Sequence, residues 1–227
     1  DRISVIDSFG GIYYYNSDLY LSSTPIKMKI VENKIMIITA NELYKQIEDN
    51  RIIDGTDITH FNFERITPND SSGSMTNIND ISSIGLNAYF ITRNINGYSY
   101  RKNDSHTFKF TTPQWSSADN SFTKCAYLNS KIMMISPTTS LLAYSSDYSS
   151  WSNITSTTFN SRVNDIASSG SIVVIAGNNC IYYSTNVTSW TKVTLSGNWT
   201  NIKYTGGIFV VYNTNGSIIY YSIDGKT

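Results

Sequence analysis

Short apolar runs rich in Ile, Val, Tyr and Phe alternate along the chain with turns of Gly, Asn and Ser. Runs of this length and composition predict β-strands, and helical periodicity is nearly absent. Only residues 41–50 (NELYKQIEDN) fit a short helix. Alignment with the rest of the chain places a third strand at 42–45 instead and a fourth at 61–63. The pattern therefore predicts an all-β protein.

One four-strand unit recurs about every forty residues, a period typical of β-propeller blades. Its second strand is apolar on both faces, as at 172–175, which indicates burial between two neighbouring units. Its third strand runs into a Tyr-Ser turn, which begins at Tyr144, Tyr183 and Tyr221. We expect a β-propeller of four-stranded antiparallel blades, about five to six in number, with the first and last incomplete. The competing fold, a two-sheet sandwich, does not require one pattern at regular spacing.

The repeats divide the chain into approximate blades within a single propeller domain spanning 1–227. The expected blade bounds are 1–25, 26–77, 78–121, 122–162, 163–198 and 199–227. The chain begins without Met and the third copy of the turn is interrupted at Thr227, so we expect a fragment of a longer protein. Two closures of the ring stay open: one blade completed by strands from both chain ends, or further blades outside this chain.

Charge and composition narrow the class of partner. Lys+Arg and Asp+Glu balance at 17 each, which argues against nucleic acid and against electrostatic binding to a membrane. Polar positions are mostly Ser, Thr and Asn, with 17 Tyr, a composition suited to hydroxyl-rich ligands such as glycans. Codon bias in an AT-rich genome is an alternative source of the same excess. Cys125 and Cys180 lie in apolar strands and are expected to be buried free thiols.

The Tyr-Ser turn carries a recognisable motif. It reads Tyr144-Ser-Ser-Asp-Tyr-Ser-Ser-Trp151 in its first copy and Tyr183-Ser-Thr-Asn-Val-Thr-Ser-Trp190 in its second. This resembles the Asp-box, Ser-x-Asp-x-Gly-x-x-Trp, of sialidase-like propellers, with one residue fewer before Trp. The resemblance implies a structural role, in which Ser and Asp hold backbone amides of the turn and Trp fills space between strands. The matching positions are Ser145, Asp147, Trp151, Ser184, Asn186 (in place of Asp), Trp190, Ser222 and Asp224.

Degenerate repeats of this kind also resemble the propellers of bacteriophage, or phage-tail-like particle, tail fibres and receptor-binding proteins. The resemblance covers 79–227 with fair regularity and 1–78 weakly. It implies an extracellular, non-catalytic domain on the particle surface that attaches to a bacterial surface polysaccharide or teichoic-acid-like polymer. It also implies a homotrimer formed through other parts of the fibre. The alternatives are a secreted sialidase-like glycan-processing enzyme and a purely structural fibre platform.

Catalytic and metal-binding patterns are weak in the sequence. The arginine cluster of a sialidase is not evident, and 63–68 (FERITP) matches its Arg-Ile-Pro start only with an interrupting Thr67. His60 and His106 have no Cys, Asp or second His at metal-ligand spacing, so we expect no metal site. Because the catalytic patterns are missing as well, we expect no cofactor and no enzyme activity. Paired carboxylates from distant blades would still permit a glycosidase.

Blade geometry predicts where a ligand binds. In a four-stranded meander, the turns between second and third strands and the loops between blades emerge at one end. The Tyr-Ser turns emerge at the other end. Trp115 lies in a polar loop at the first end, where it would stack on a sugar ring or, alternatively, cap the blade edge. The candidate ligand-binding residues are Trp115, Asp119, Arg162, Arg93 and Asn94.

Overall fold

The chain forms antiparallel β-sheets that follow one another in sequence order. The structure, a computed structural model, describes residues 4–6, 12–14, 24–31, 34–53, 56–66, 69–70, 73–74, 78–85, 88–93, 97–101, 109–111, 122–154, 159–216 and 218–226. Within these residues, no helix is long and apolar enough to cross a membrane. The secondary-structure elements of the described residues are all β-strands, so the all-β prediction is confirmed.

Five sheets, numbered I to V, carry the architecture. Sheet I contains β3 (Pro25–Val31), β4 (Lys34–Thr39), β5 (Leu43–Ile53) and β6 (Thr56–Ile66). Sheet II contains β9 (Ile78–Gly85), β10 (Ala88–Arg93), β11 (Gly97–Arg101) and β12 (Lys109–Thr111). Sheet III contains β13 (Lys124–Leu128), β14 (Lys131–Ser136), β15 (Leu141–Ser145) and β16 (Ser152–Ile154).

The last two sheets have three strands each. Sheet IV contains β17 (Val163–Ser168), β18 (Val173–Ser184) and β19 (Thr191–Asn198), and sheet V contains β20 (Asn201–Thr205), β21 (Ile208–Tyr212) and β22 (Ile219–Ser222). Two short pairs complete the described strands: β1 (Ser4–Ile6) with β2 (Ile12–Tyr14), and β7 (Asn69–Asp70) with β8 (Gly73–Ser74). The division of 1–227 into six blades of one domain stays a prediction.

Two elements differ in extent from the sequence prediction. Residues 41–50 do not form a helix: β5 begins at Leu43 and pairs with β6 as far as Ile53 opposite Thr56, a longer hairpin than expected. In sheet IV, one strand replaces the two predicted around 172–183. The first half of β18 pairs with β17 and its second half with β19, so β18 corresponds to both the second and third strands of sheet III.

The core lies between consecutive sheets. Four apolar clusters fill the interfaces I–II, II–III, III–IV and IV–V. The second strands of sheets II, III and IV are apolar on both faces because each lies between two such clusters; in β14, every residue from Ile132 to Ser136 is buried. The innermost strand of each sheet contacts that of the next, in the order β3, β9, β13, β17, β20. Five stacked sheets thus surround a common centre.

The Tyr-Ser turns share one hydrogen-bond arrangement. The Ser145 hydroxyl oxygen accepts the Tyr148 amide at 2.8 Å, and Asp147 Oδ1 accepts the amides of Ser149 at 2.8 Å and Ser150 at 2.7 Å. These backbone amides, that of Ser150 foremost, hold the pKa of Asp147 well below its usual range.

The later copies repeat the arrangement with different residues. Ser184 accepts the Val187 amide, and Asn186 Oδ1 accepts the two amides that follow. Asn replaces Asp here because the turn needs only the side-chain oxygen. In the third copy, Ser222 accepts the Gly225 amide and Asp224 accepts that of Lys226.

The residue after Asp or Asn adopts left-handed backbone geometry in each copy. Its φ is 65° at Tyr148, 73° at Val187 and 71° at Gly225. Such a φ costs a β-branched residue on the order of 1–3 kcal/mol, so surrounding contacts must hold it. Val187 is fully buried in the III–IV cluster, and Tyr148 is buried in the II–III cluster. The turn therefore anchors one sheet to the preceding one.

We expect Ser184→Ala to lower the free energy of unfolding by about 1–3 kcal/mol, because it leaves the buried Val187 amide without its acceptor. Urea denaturation followed by tryptophan fluorescence measures the loss. Ser189→Ala is the matched control, since the Ser189 side chain is exposed in the same turn. Equal losses in the two variants would show that the hydroxyl bond does not hold the turn.

Candidate functional site

A central pocket lies among the innermost strands of all five sheets. Its volume is about 580 Å³, within the range typical of small-ligand sites. Each inner strand contributes to its wall, so the pocket exists only because the sheets surround one centre. Its polar and charged lining residues include Lys27, Lys29, Ser82, Ser83, Tyr127, Asp165, Lys203 and Thr205.

The inner strands place charged side chains at one equivalent position. In each strand this residue pairs with a residue near the end of the neighbouring second strand, for example Asp80 with Thr92 and Lys124 with Ile135. An apolar residue or cysteine follows it in every strand. The residues at this position alternate in charge over the first four inner strands and end in a neutral amide; in order they are Lys27, Asp80, Lys124, Asp165 and Asn201.

Asp80 is the most strongly bound of these groups. Its side chain is 1% exposed, and its Oδ1 lies 2.7 Å from Lys27 Nζ and 3.2 Å from Lys29 Nζ. Its Oδ2 accepts the backbone amide of Cys125 at 3.2 Å. Burial alone would raise the pKa of Asp80, but Lys29, Lys27 and Lys124 outweigh it and hold that pKa well below its usual range. Asp80 is therefore ionised at neutral pH and joins sheets I, II and III.

Asp165 makes the same kind of backbone hydrogen bond as Asp80, between sheets IV and V, but has no ion pair with a lysine among the described residues. Its Oδ2 accepts the amide of Ile202 at 3.0 Å, which joins sheets IV and V as Asp80 joins II and III. Lys203, two positions after Asn201, lies half-buried on the pocket wall. Burial lowers the pKa of Lys203, while the Asp165 carboxylate opposes that shift.

A second titratable cluster lies at the β4–β5 turn of sheet I. Glu42 is buried; its Oε2 accepts the Tyr44 hydroxyl at 2.7 Å, and its Oε1 lies 2.9 Å from the Arg65 guanidinium. The Glu42 carbonyl also accepts the Thr39 amide that closes the turn. Because both carboxylate oxygens have partners, this cluster stabilises the hairpin and offers no open group to a ligand.

Both cysteines are free and buried, as predicted. Burial raises the pKa of the Cys125 thiol, and the neighbouring Asp80 carboxylate raises it further. A thiol in this state is protonated at neutral pH and is a poor nucleophile. Within the described residues, no three His, Cys, Asp or Glu side chains come together as metal ligands.

The structure gives little information on the ligand residues expected from sequence. Trp115, Asp119 and Asn94 lie outside the described residues, as does the side chain of Arg93. Arg162 is exposed at the start of sheet IV, where its carbonyl accepts the Asn178 amide at 2.9 Å. Arg162 therefore lies beside Asn178 of β18, and the ligand role of these five residues stays a prediction.

Sequence reasoning missed the pocket residues Lys27, Lys29, Asp165 and Lys203. The available signal was the recurrence of a charged residue at the same place in successive first strands. The recurrence indicates a pocket only once the repeats are known to close around a centre, because residues 27 and 203 are far apart in the chain.

Comparisons with known proteins identify the fold. No protein-family model matches the sequence, and no curated protein matches it. Virginiamycin B lyase from Staphylococcus aureus is 16% identical, with a TM-score of 0.62 over 92% of this chain and 69% of that one. YCF48 bound to a D1 peptide is 12% identical, with a TM-score of 0.61 over 90% and 67%. The Pan2 WD40 domain of Neurospora crassa is 10% identical, with a TM-score of 0.53 over 85% and 59%.

These three structures are β-propellers. At such low identity the likeness shows the fold alone, and nothing of the lyase or peptide-binding chemistry transfers with it. The repeated four-strand unit, the antiparallel sheets around a centre and the structural likeness agree: the chain is a β-propeller, as predicted.

Proposed function

We propose that this β-propeller is a non-catalytic receptor-binding domain of a phage or phage-tail-like fibre, and that it attaches to a bacterial cell-surface glycopolymer. The observation that carries the proposal is the central pocket, which is large enough for a ligand while its two neighbouring carboxylates are engaged in joining sheets. Such a pocket suits binding better than acid–base chemistry.

Glycoside hydrolysis requires carboxyl groups in protonation states and environments that differ from those of Asp80 and Asp165. It requires one carboxyl group kept protonated by a raised pKa and a second one free to act as nucleophile or base. The pKa of Asp80 is shifted in the opposite direction, and its oxygens accept from two lysines and an amide. Asp165 is buried, with Oδ2 on the Ile202 amide. Both groups therefore act as structural carboxylates.

The lining supports a sugar-like ligand. Ser82, Ser83 and Thr205, which carry hydroxyl groups, line the pocket together with the exposed apolar side chain of Met28, a mixture that matches the polar edges and apolar faces of a sugar ring. The attachment role, extracellular location on the particle surface and trimeric fibre rest on the Tyr-Ser-x-Asp repeats and their resemblance to phage fibre propellers.

Co-sedimentation with bacterial cell walls tests the proposal. Walls from several Gram-positive species with AT-rich genomes are compared before and after removal of their polysaccharide and teichoic acid. We expect strain-selective binding that disappears on stripping, with no hydrolysis of chromogenic glycosides. Wall binding of Trp115→Ala, measured in the same way, tests separately whether the loops at the predicted ligand-binding end of the blades contribute.

Two results would contradict the proposal. Turnover of a glycoside would favour the sialidase-like enzyme. Failure of the folded domain to bind any wall would favour a structural fibre platform.

A further inference from the structure

We propose that the central pocket binds an oxyanion, a phosphate or carboxylate group on a hydroxyl-rich ligand, through the ammonium group of Lys203 assisted by Lys27 and Lys29. This names the ligand chemistry of the pocket. It rests on the proposed function only for the identity of the polymer that carries the anion.

The pocket has a local excess of positive charge. Among the described residues, Lys27, Lys29 and Lys203 line it, against the single lining carboxylate of Asp165. Asp80 lies behind the lining and offsets one more charge, which leaves three cations against two carboxylates. The whole chain has a formal net charge of +0, so this excess is a property of the pocket.

Among the three lysines that line the pocket, Lys203 is the one that contacts no carboxylate of the described residues. Lys27 and Lys29 lie within 2.7 and 3.2 Å of Asp80 Oδ1, whereas Lys203 has no hydrogen bond or ion pair within the part of the chain that the structure describes. Its ammonium is partly desolvated, and Lys27 and Lys29 repel it. An anion between these lysines would supply the missing compensation, in surroundings where charges interact more strongly than in water.

The rest of the lining indicates what else the ligand carries. Ammonium groups act as point charges, so they bind phosphate or carboxylate without requiring a planar, two-pronged geometry. The hydroxyls of Ser82, Ser83 and Tyr127 lie on other inner strands, where they can bond to hydroxyl groups of the same ligand. A volume of about 580 Å³ leaves room for a sugar or polyol unit beside the anion.

Isothermal titration calorimetry of the whole chain tests this with four probes: glycerol 3-phosphate, glucuronate, glycerol and glucose. We expect the two anions to bind, the neutral compounds not to bind, and affinity to fall as salt rises. Lys203→Met should weaken anion binding at least about tenfold, the effect of losing one charge contact. Lys226→Met is the matched control, because Lys226 is exposed on the last turn. The tighter of the two anions identifies phosphate or carboxylate as the source.

Three outcomes would overturn the inference: no anion binding, equal binding of anionic and neutral probes, or unchanged affinity in Lys203→Met. Circular dichroism and the thermal midpoint establish that both variants fold. The outcome is separable from that of the proposed function. A domain that binds walls but no small anion contradicts only the inference, and one that binds anions but no wall contradicts only the attachment role.

Discussion

Replacing Asp80 with alanine is expected to lower the free energy of unfolding by about 3–5 kcal/mol. The substitution leaves Lys27 and Lys29 without their shared carboxylate and the buried Cys125 amide without its acceptor. A buried pair that loses one partner costs this much because the remaining charge is uncompensated. Urea denaturation monitored by far-ultraviolet circular dichroism gives the value.

Asp165→Ala is the matched comparison, since Asp165 holds the same repeat position and accepts the equivalent amide of Ile202. We expect a smaller loss of about 1–3 kcal/mol, because the hydrogen bond is removed but no contacting lysine pair is released. The difference between the two variants measures the lysine contribution. Equal small losses would mean that Lys27 and Lys29 find water or other partners.

Acid should remove the Asp80 contribution in a defined direction. Its folded-state pKa lies below the unfolded value of about 3.9, so its stabilisation is present above that pH and is lost as pH falls through the folded-state pKa. Wild-type stability should therefore fall more steeply than that of Asp80→Ala below about pH 4. Parallel acid curves would contradict the charge pairing.

Phe90→Ala is expected to cost a similar amount, about 3–5 kcal/mol, by opening a cavity between sheets II and III. Phe90 is fully buried in the II–III cluster, with its ring centroid 5.9 Å from that of Trp151 and 6.4 Å from that of Tyr148. Neighbouring side chains come from two rigid sheets and can collapse only partly into the space. Thermal and urea unfolding both report the change.

Tyr221→Ala is the control for Phe90, because it removes an aromatic ring that is 71% exposed on sheet V. Its effect should stay within about 0.5 kcal/mol, as for most surface substitutions. A loss at Phe90 no larger than at Tyr221 would show that the II–III interface is not part of the cooperative core.

The sequence predicts most of the fold because its main signals are local. Apolar runs such as β14 and the recurring Tyr-Ser turn identify strands and their order without long-range information. The extension of the β5–β6 hairpin to Ile53 was missed because the polar run at 48–51 (EDNR) interrupts the apolar pattern of β5. The left-handed backbone of Val187 was also missed, since a β-branched residue ordinarily argues against it.

The candidate site was harder to predict than the fold. Lys27, Asp80 and Lys203 come near one another only after the sheets close around the pocket, and no motif spacing connects them. The candidate ligand residues in the loops, Trp115 first among them, were inferred from blade geometry and from the resemblance to phage fibre propellers. They stay predictions, separate from the pocket.

Charge alternation at the inner strands has a consequence for assembly. Sheets built on one repeated pattern present similar apolar faces, so packing alone discriminates weakly between right and wrong neighbours. A sheet that skipped its neighbour would bring Lys27 beside Lys124, or Asp80 beside Asp165, and bury like charges together. The alternating sign at this position in sheets I to IV therefore disfavours pairing of next-nearest sheets, a misassembly to which repeat proteins are prone.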